Sequence, residues 1–171
     1  MITKDIIVAG NNDLAFNIVE LLSHQHFVTL LGPNIIEKNR FTHQDNIEII
    51  CGEVTDATLL SQTPLTSGGV FIAATESDEM NLLSCMTAVA LIRMAINDES
   101  IETSQTLAGQ YQSEDLNVIC ILNHSGYGAL KNFDDNFARE LHIHRIIRPS
   151  QELATEIIKI AEIPGAQDVK M

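Results

Sequence analysis

Three constellations in this 171-residue chain combine residue types and spacings that can do chemistry. The first is a turn. An apolar run, Ile6 to Ala9, stops at Gly10, and Asn11, Asn12, Asp13 and Leu14 lead into an amphipathic stretch. Against the pattern Gly-x-Gly-x-x-Gly, Gly10 fills the first place, Asn12 the second and Ala15 the third. In that pattern the first glycine allows a tight turn, the second lets a pyrophosphate approach the backbone, and the third lets helix pack on strand. Asn12 is expected to take a positive φ more readily than most residues and to bring its side chain towards the phosphates. Ala15 is an accepted third, and the N–H groups of the helix start are expected to face an anion. An acid about 20 residues further on usually grips the ribose hydroxyls. In "FVTLLGPN" that place falls to Gly32, followed by Pro33. A bound nucleotide would then be held by adenine and phosphates, and Gly32→Asp would strengthen the ribose grip, provided Pro33 lets the acid point inward.

The second constellation is Tyr127 and Lys131 in "YGALK", which share a helix face. There a lysine would lower the tyrosine pKa for proton transfer, as in a small NAD(P)-dependent oxidoreductase. The chain is short for such an enzyme and the turn at Gly10 is incomplete, so coincidence is the plainer reading. The third is "HIH", which puts His142 and His144 on one side of an extended segment where a metal can bind. With no third ligand close in sequence, a surface or partly buried pair is the plainer reading. Asp134 and Asp135, like Glu76, Asp78 and Glu79, read as acids near helix starts, where the dipole favours them. No Ser-His-Asp or Cys-His order is supported by spacing, and no enzyme is expected.

The elements that position these residues follow from hydrophobic periodicity. Ile6–Ala9, Phe27–Leu31, Glu48–Cys51, Val70–Ala74, Val118–Leu122 and His144–Ile147 read as six short strands. Helical patterns lie between and after them, at Leu14–Leu22, Ile35–Asn39, Ala57–Gln62, Asn81–Ile96, Ala129–Leu141 and Gln151–Ile160. Alternating strands and helices imply βαβ units, hence an α/β fold: a doubly wound, Rossmann-type, mostly parallel sheet covered on both faces. The segment Asn97–Asn117 holds five acids and no Lys or Arg, and is expected to be a mobile surface insertion. Asn81–Ile96 is apolar nearly all round, so its second apolar side requires a neighbouring helix or another subunit.

Composition limits the partners. A formal charge of −13 argues against nucleic acid. No apolar run is long enough for direct membrane insertion, and the amino terminus lacks the apolar region of a signal peptide. Cys51, Cys85 and Cys120 lie in apolar surroundings without zinc-type pairing, which points to reduced thiols and a cytoplasmic protein.

Four stretches, "IIVAGNNDLAFNIVELL", "IEIICGEVTDATLL", "VFIAATESDEMNLLSCMTAVAL" and "HRIIRPSQELATEIIKIAEIPGAQDV", together resemble the TrkA-N or RCK domain in order and spacing. The resemblance runs over most of residues 4 to 169. It implies a cytoplasmic regulatory domain of potassium channels and transporters that binds NAD(H), ATP, ADP, AMP or a related nucleotide at the carboxyl ends of the strands. By position, Gly10, Asn11, Asn12, Asp13 and Leu14 would form the phosphate turn, and Gly32 would stand in the place of the ribose-binding acid. Glu53 and Val54 would flank adenine, while Thr75, Glu76 and Asp78 would line the crevice. The departures are Asn12, Gly32, and Cys120 near a basic residue that many members carry; each weakens nucleotide binding. A scaffold that binds no nucleotide is the alternative. The resemblance also implies a homodimer, or a higher ring, acting on a separate membrane potassium channel or transporter subunit. Residues 1–148 would be the Rossmann-type domain, and 149–171 a crossover helix for dimerisation with its tail.

Overall fold

Ile6, Ile7, Val8 and Ala9 are apolar without alternation, and all four are fully buried, which is the signature of a strand covered on both faces. They belong to β1 (Asp5–Ala9), the centre of a sheet in the computed structural model, which describes residues 4–34, 38–41, 44–65, 68–102, 116–123 and 135–147. The other strands are β2 (Phe27–Gly32), β3 (Ile47–Cys51), β4 (Val70–Ala73), β5 (Asn117–Ile121) and β6 (Arg145–Ile147). Their order is β3-β2-β1-β4-β5-β6 and every pair is parallel. The chain winds outward from β1 to one edge and returns to β4 for the other half, so the order reverses between β1 and β4. Ligands of doubly wound sheets bind at that point, beyond the carboxyl ends of the strands.

Parallel strands need crossovers, and helices supply them. The first, α1 (Asp13–Ser23), buries Ala15, Phe16, Ile18, Val19 and Leu22 against one face of the sheet. The helices α2 (Ala57–Leu60) and α3 (Asp78–Glu102) serve the other face, where Ile7, Leu31, Phe71 and Val118 form a core with Leu60, Cys85 and Ala88. A further helix, α4 (Asp135–Glu140), precedes β6. Where Ile35–Asn39 suggested a helix, the described residues hold a 3-10 turn over Lys38–Phe41. Arg40 ties it to α1 through Glu20 at 2.7 Å and Asn17 at 3.0 Å, and Phe41 packs edge-on against Phe16.

One expectation changes here. Residues 97–102, read as the start of an acidic insertion, continue α3 to Glu102. Once the apolar half is packed, extending a helix costs little, so polar residues can prolong it into solvent. The sequence also places Asn81, Cys85, Ala88 and Ile92 on the buried side of α3, while Leu83, Met86 and Met94 stay exposed. The remainder of the insertion and the helix expected at Gln151–Ile160 lie outside the described residues, as does the proposed boundary at 148.

Candidate functional site

The site begins where β1 stops. A Cβ on Gly10 would stand 2.6 Å from the Ala74 carbonyl oxygen and 2.8 Å from Ala15 Cβ, so Gly10 and Ala15 must both be small for strand, turn and helix to close. Asn12 then caps α1 from an extended backbone, with φ −121° and ψ 172°, not from the positive φ expected of it. Its Oδ1 accepts from Ala15 N at 2.9 Å, and its Nδ2 donates to Ala74 O at 2.8 Å. The side chain therefore spans from α1 to the end of β4, because the cap and the strand carbonyl together satisfy both ends of the amide. It is a tie across the floor of the turn, and the expectation that it reaches towards phosphates is corrected accordingly. The amides of Asp13 and Leu14 donate to no other described residue and remain at the positive end of the helix dipole.

Gly32 ends β2 beside this turn. A Cβ there would lie 2.7 Å from Gly10 O, 3.1 Å from Gly10 C and 3.3 Å from Asn11 Cβ. Backbone cannot yield as a side-chain tip can, so an aspartate at this position would force strand β2 away from β1. This close approach sets a steric cost against the gain expected from Gly32→Asp. The neighbouring contacts reinforce it: Asn11 Nδ2 donates to Pro33 O at 3.0 Å, and Gly52 N donates to Gly32 O at 3.1 Å.

The opposite wall is a buried polar cluster. Asn81 is fully buried, and its Oδ1 accepts from Thr75 N at 2.7 Å and from the Thr75 hydroxyl at 2.6 Å. Its Nδ2 donates to Thr75 O at 3.1 Å and to Ile121 O at 2.7 Å. Asn123 continues the cluster, donating from its backbone N to Asp78 Oδ1 at 2.5 Å and from Nδ2 to Thr75 O at 2.9 Å. The ends of β4 and β5 and the start of α3 are thus pinned to one another. Asn81 and Asn123 were not singled out from sequence. A signal for Asn81 existed: it is the one amide on the helical stripe that also holds Cys85, Ala88 and Ile92.

The sequence-predicted residues divide clearly. Gly10, Asn11, Asn12, Asp13, Leu14, Gly32 and Thr75 come together at the carboxyl ends of β1, β2 and β4. Asp78 is buried and accepts from Asn123, while Glu76 and Glu53 are exposed. Val54 is a core residue, buried with Leu31 and Leu60, so its side chain turns away from any adenine. His142 has a left-handed backbone at φ 54° and its ring meets Arg93 of α3, whereas His144 Nδ1 accepts from Val118 N at 3.1 Å. No group of three or more His, Cys, Asp or Glu that could hold a metal exists among the described residues. Tyr127, Lys131 and Asp134 lie outside them, and Asp135 begins α4. Burial pushes the Cys85 thiol well above its usual range, and the neighbouring Cys120 adds to the shift. Chemically, the assembled turn can present two amides to an anion and a glycine-lined backbone to a flat ligand. It offers no carboxylate at the end of β2 to a ribose diol.

Known proteins resemble this chain in sequence and in fold. The profile of the TrkA-N domain matches residues 6–102. A protein of Vibrio alginolyticus named Trk system potassium uptake protein TrkA is 29% identical over 86 residues, covering 50% of this chain and 19% of its own length. A Trk system potassium uptake protein TrkA homolog of Methanothermobacter thermautotrophicus is 34% identical over 83 residues, covering 47% and 38%. The chain thus matches well under half the length of either relative. Among solved structures, a Rossmann-fold NAD(P)-binding family protein from Shigella flexneri superposes with TM-score 0.63 at 17% identity, covering 97% of this chain and 90% of that one. The GsuK channel bound to NAD superposes with TM-score 0.55 at 16% identity, covering 85% of this chain and 21% of that one. At such identities the likeness establishes the α/β fold.

Proposed function

This chain belongs to the TrkA-N domain family, and on that premise we propose that it is a regulatory, nucleotide-binding module of potassium ion transport and not an enzyme. The observation that carries the reading is that the matched span, residues 6–102, holds both walls of the crevice, the Gly10 turn with α1 and the Ala74–Asp78 segment. The ligand is NAD(H) or an adenine nucleotide, taken by the Asp13 and Leu14 amides and the glycine-lined backbone between β1 and β2. In this reading the module works at the cytoplasmic side of a separate membrane potassium channel or transporter subunit, and pairs with a second copy of itself. No helix among the described residues is long and apolar enough to cross a membrane.

A thermal-shift series with NAD, NADH, ATP, ADP and AMP tests this. A ligand at about 100 times its dissociation constant adds about 2.7 kcal/mol, or about 2–4 °C per kcal/mol for a chain of this size. A clear shift with one of them supports the reading. Flat traces with all five would favour the second reading, a scaffold that binds no nucleotide. One observation favours that scaffold: the Asn12 side chain spans to Ala74 where a second glycine would leave the turn open.

A further inference from the structure

The end of the sheet opposite the crevice carries an uncovered patch. Asp5 pairs with Phe27, and Glu48 pairs with Thr29, in register across β1, β2 and β3. Phe27, Thr29 and Leu31 alternate onto one face of β2, and Leu31 places that face on the α2–α3 side. Helix α2 has only four residues, about 6 Å of length, against about 16 Å for the five-residue strand β3. Leu59 and Leu60 meet the core with Ile50, while Phe27 at the amino end of β2 stays exposed. Phe27 is 57% exposed there, among the largest apolar exposures of the described residues.

Two adjoining hollows share Phe27, Asp45 and Asn46. One, of about 250 Å³, is also lined by Asp5, Thr29, Glu48 and Pro64. The other, of about 640 Å³, adds Ser23, His24 and Gln44. Asp5, Asp45 and Glu48 pair with no cation among the described residues. Thr29 is only 3% exposed and lines the smaller hollow. An exposed aromatic ring and three carboxylates without a cation partner among the described residues line these hollows, and are complementary to a basic chain that also carries an apolar side chain.

We propose that this patch docks a Lys/Arg-rich segment of the membrane partner, with an apolar side chain on Phe27 and cations at Asp5, Asp45 and Glu48. The identity of that partner rests on the transport reading; segments of membrane proteins on the cytoplasmic side carry an excess of Lys and Arg. The surface itself is independent of the nucleotide crevice.

The test is fluorescence anisotropy of the whole chain with a fluorescein-labelled peptide, LKKLLKKL, alongside octalysine and LEELLEEL. LKKLLKKL is expected to bind, and to lose about tenfold in affinity with Phe27→Ser or with Asp45→Asn combined with Glu48→Gln. Glu140→Gln, an exposed acid on α4, should stay within about twofold of wild type. Octalysine should bind more weakly than LKKLLKKL, and LEELLEEL should not bind. Equal affinity in wild type and both patch variants overturns the proposal, as does a photo-cross-linking LKKLLKKL that labels no residue lining the two hollows. If Phe27→Ser converts a wild-type dimer to monomer in light scattering, the patch belongs to a second copy and the proposal falls. Thermal shifts with nucleotides, run on the same variants, keep the outcomes apart, since they read the crevice and not this patch.

Discussion

Asn12 donates to the carbonyl oxygen of Ala74 at 2.8 Å, across 62 residues of sequence. One side chain thereby closes the helix cap and ties the β1 turn to the end of β4, the two segments that flank the crevice. The relationship makes Asn12 a structural tie that, under the proposed function, fills the place where a second glycine would leave the turn open. Asn12→Gly is expected to lower stability by about 1 kcal/mol, through loss of the side-chain bond with little loss as a cap. It should also tighten nucleotide binding by opening the turn. Urea unfolding and calorimetry on the variant check the two effects, and unchanged affinity would show that Asn12 does not restrict the site.

Gly32 is fixed by proximity to Gly10. Gly32→Ala should already destabilise the chain by about 1–3 kcal/mol, because its Cβ meets backbone that can move only with the strand. Gly32→Asp should do at least as much and should not improve NAD affinity. Denaturation midpoints of both variants provide the measurement; a stable, tighter-binding Gly32→Asp would contradict the close approach.

Asn81 satisfies three backbone groups and one hydroxyl in a site without water access. Asn81→Ala should therefore be among the most damaging single changes, since each buried group left without a partner costs about 1–3 kcal/mol. Asn81→Asp should not rescue it, because a carboxylate has no N–H for Thr75 O and Ile121 O. Hydrogen exchange of the Thr75 amide, read beside the unfolding curve, separates this local loss from a general one.

Helix α3 leaves Leu83, Met86 and Met94 at 50%, 43% and 64% exposure in the single chain. Apolar faces of this kind mark interfaces, and a twofold pair would cover them on both partners. Light scattering at tens of micromolar should give a dimer for the wild type, and a monomer for Leu83→Glu combined with Met86→Glu. A monomeric wild type would remove this part of the reading.

Cys85 links stability to alkaline pH. Its folded-state pKa is raised, chiefly by burial and then by Cys120, so folding favours the protonated thiol. That contribution is complete below the unfolded thiol value of about 8.5 and is lost as pH rises from there towards the folded value. Stability should fall above that pH by up to about 1.4 kcal/mol per unit, and Cys85→Ala should flatten the slope. Under native conditions a thiol reagent should label exposed Cys51, leaving Cys85 and Cys120 until the chain unfolds.

Much of this protein is written locally. The central strands β1 and β4 are short apolar runs because they are buried on both faces, and alternation with helices leaves few topologies open. The position of the crevice follows from that order, and Gly10 and Ala15 announce their packing by being small. Residues 97–102 continue a helix where composition suggests a loop, because composition describes solvent preference and not backbone conformation.

Other features exist only once distant segments meet. Asn12 has the same composition and neighbours whether it points at a ligand or at Ala74, and its direction is set by the end of β4. The roles of Asn81 and Asp78 depend on β5 arriving forty or so residues later to present Ile121 and Asn123. Gly32 looked like a missing acid, and became a steric necessity only when β2 lay against β1. Phe27 read as one more strand residue, yet it is bare because α2 stops after four residues. Sequence determines which segments are buried, since transfer from water acts residue by residue. Tertiary structure alone decides which polar groups find one another there, since a hydrogen bond requires two partners at one place.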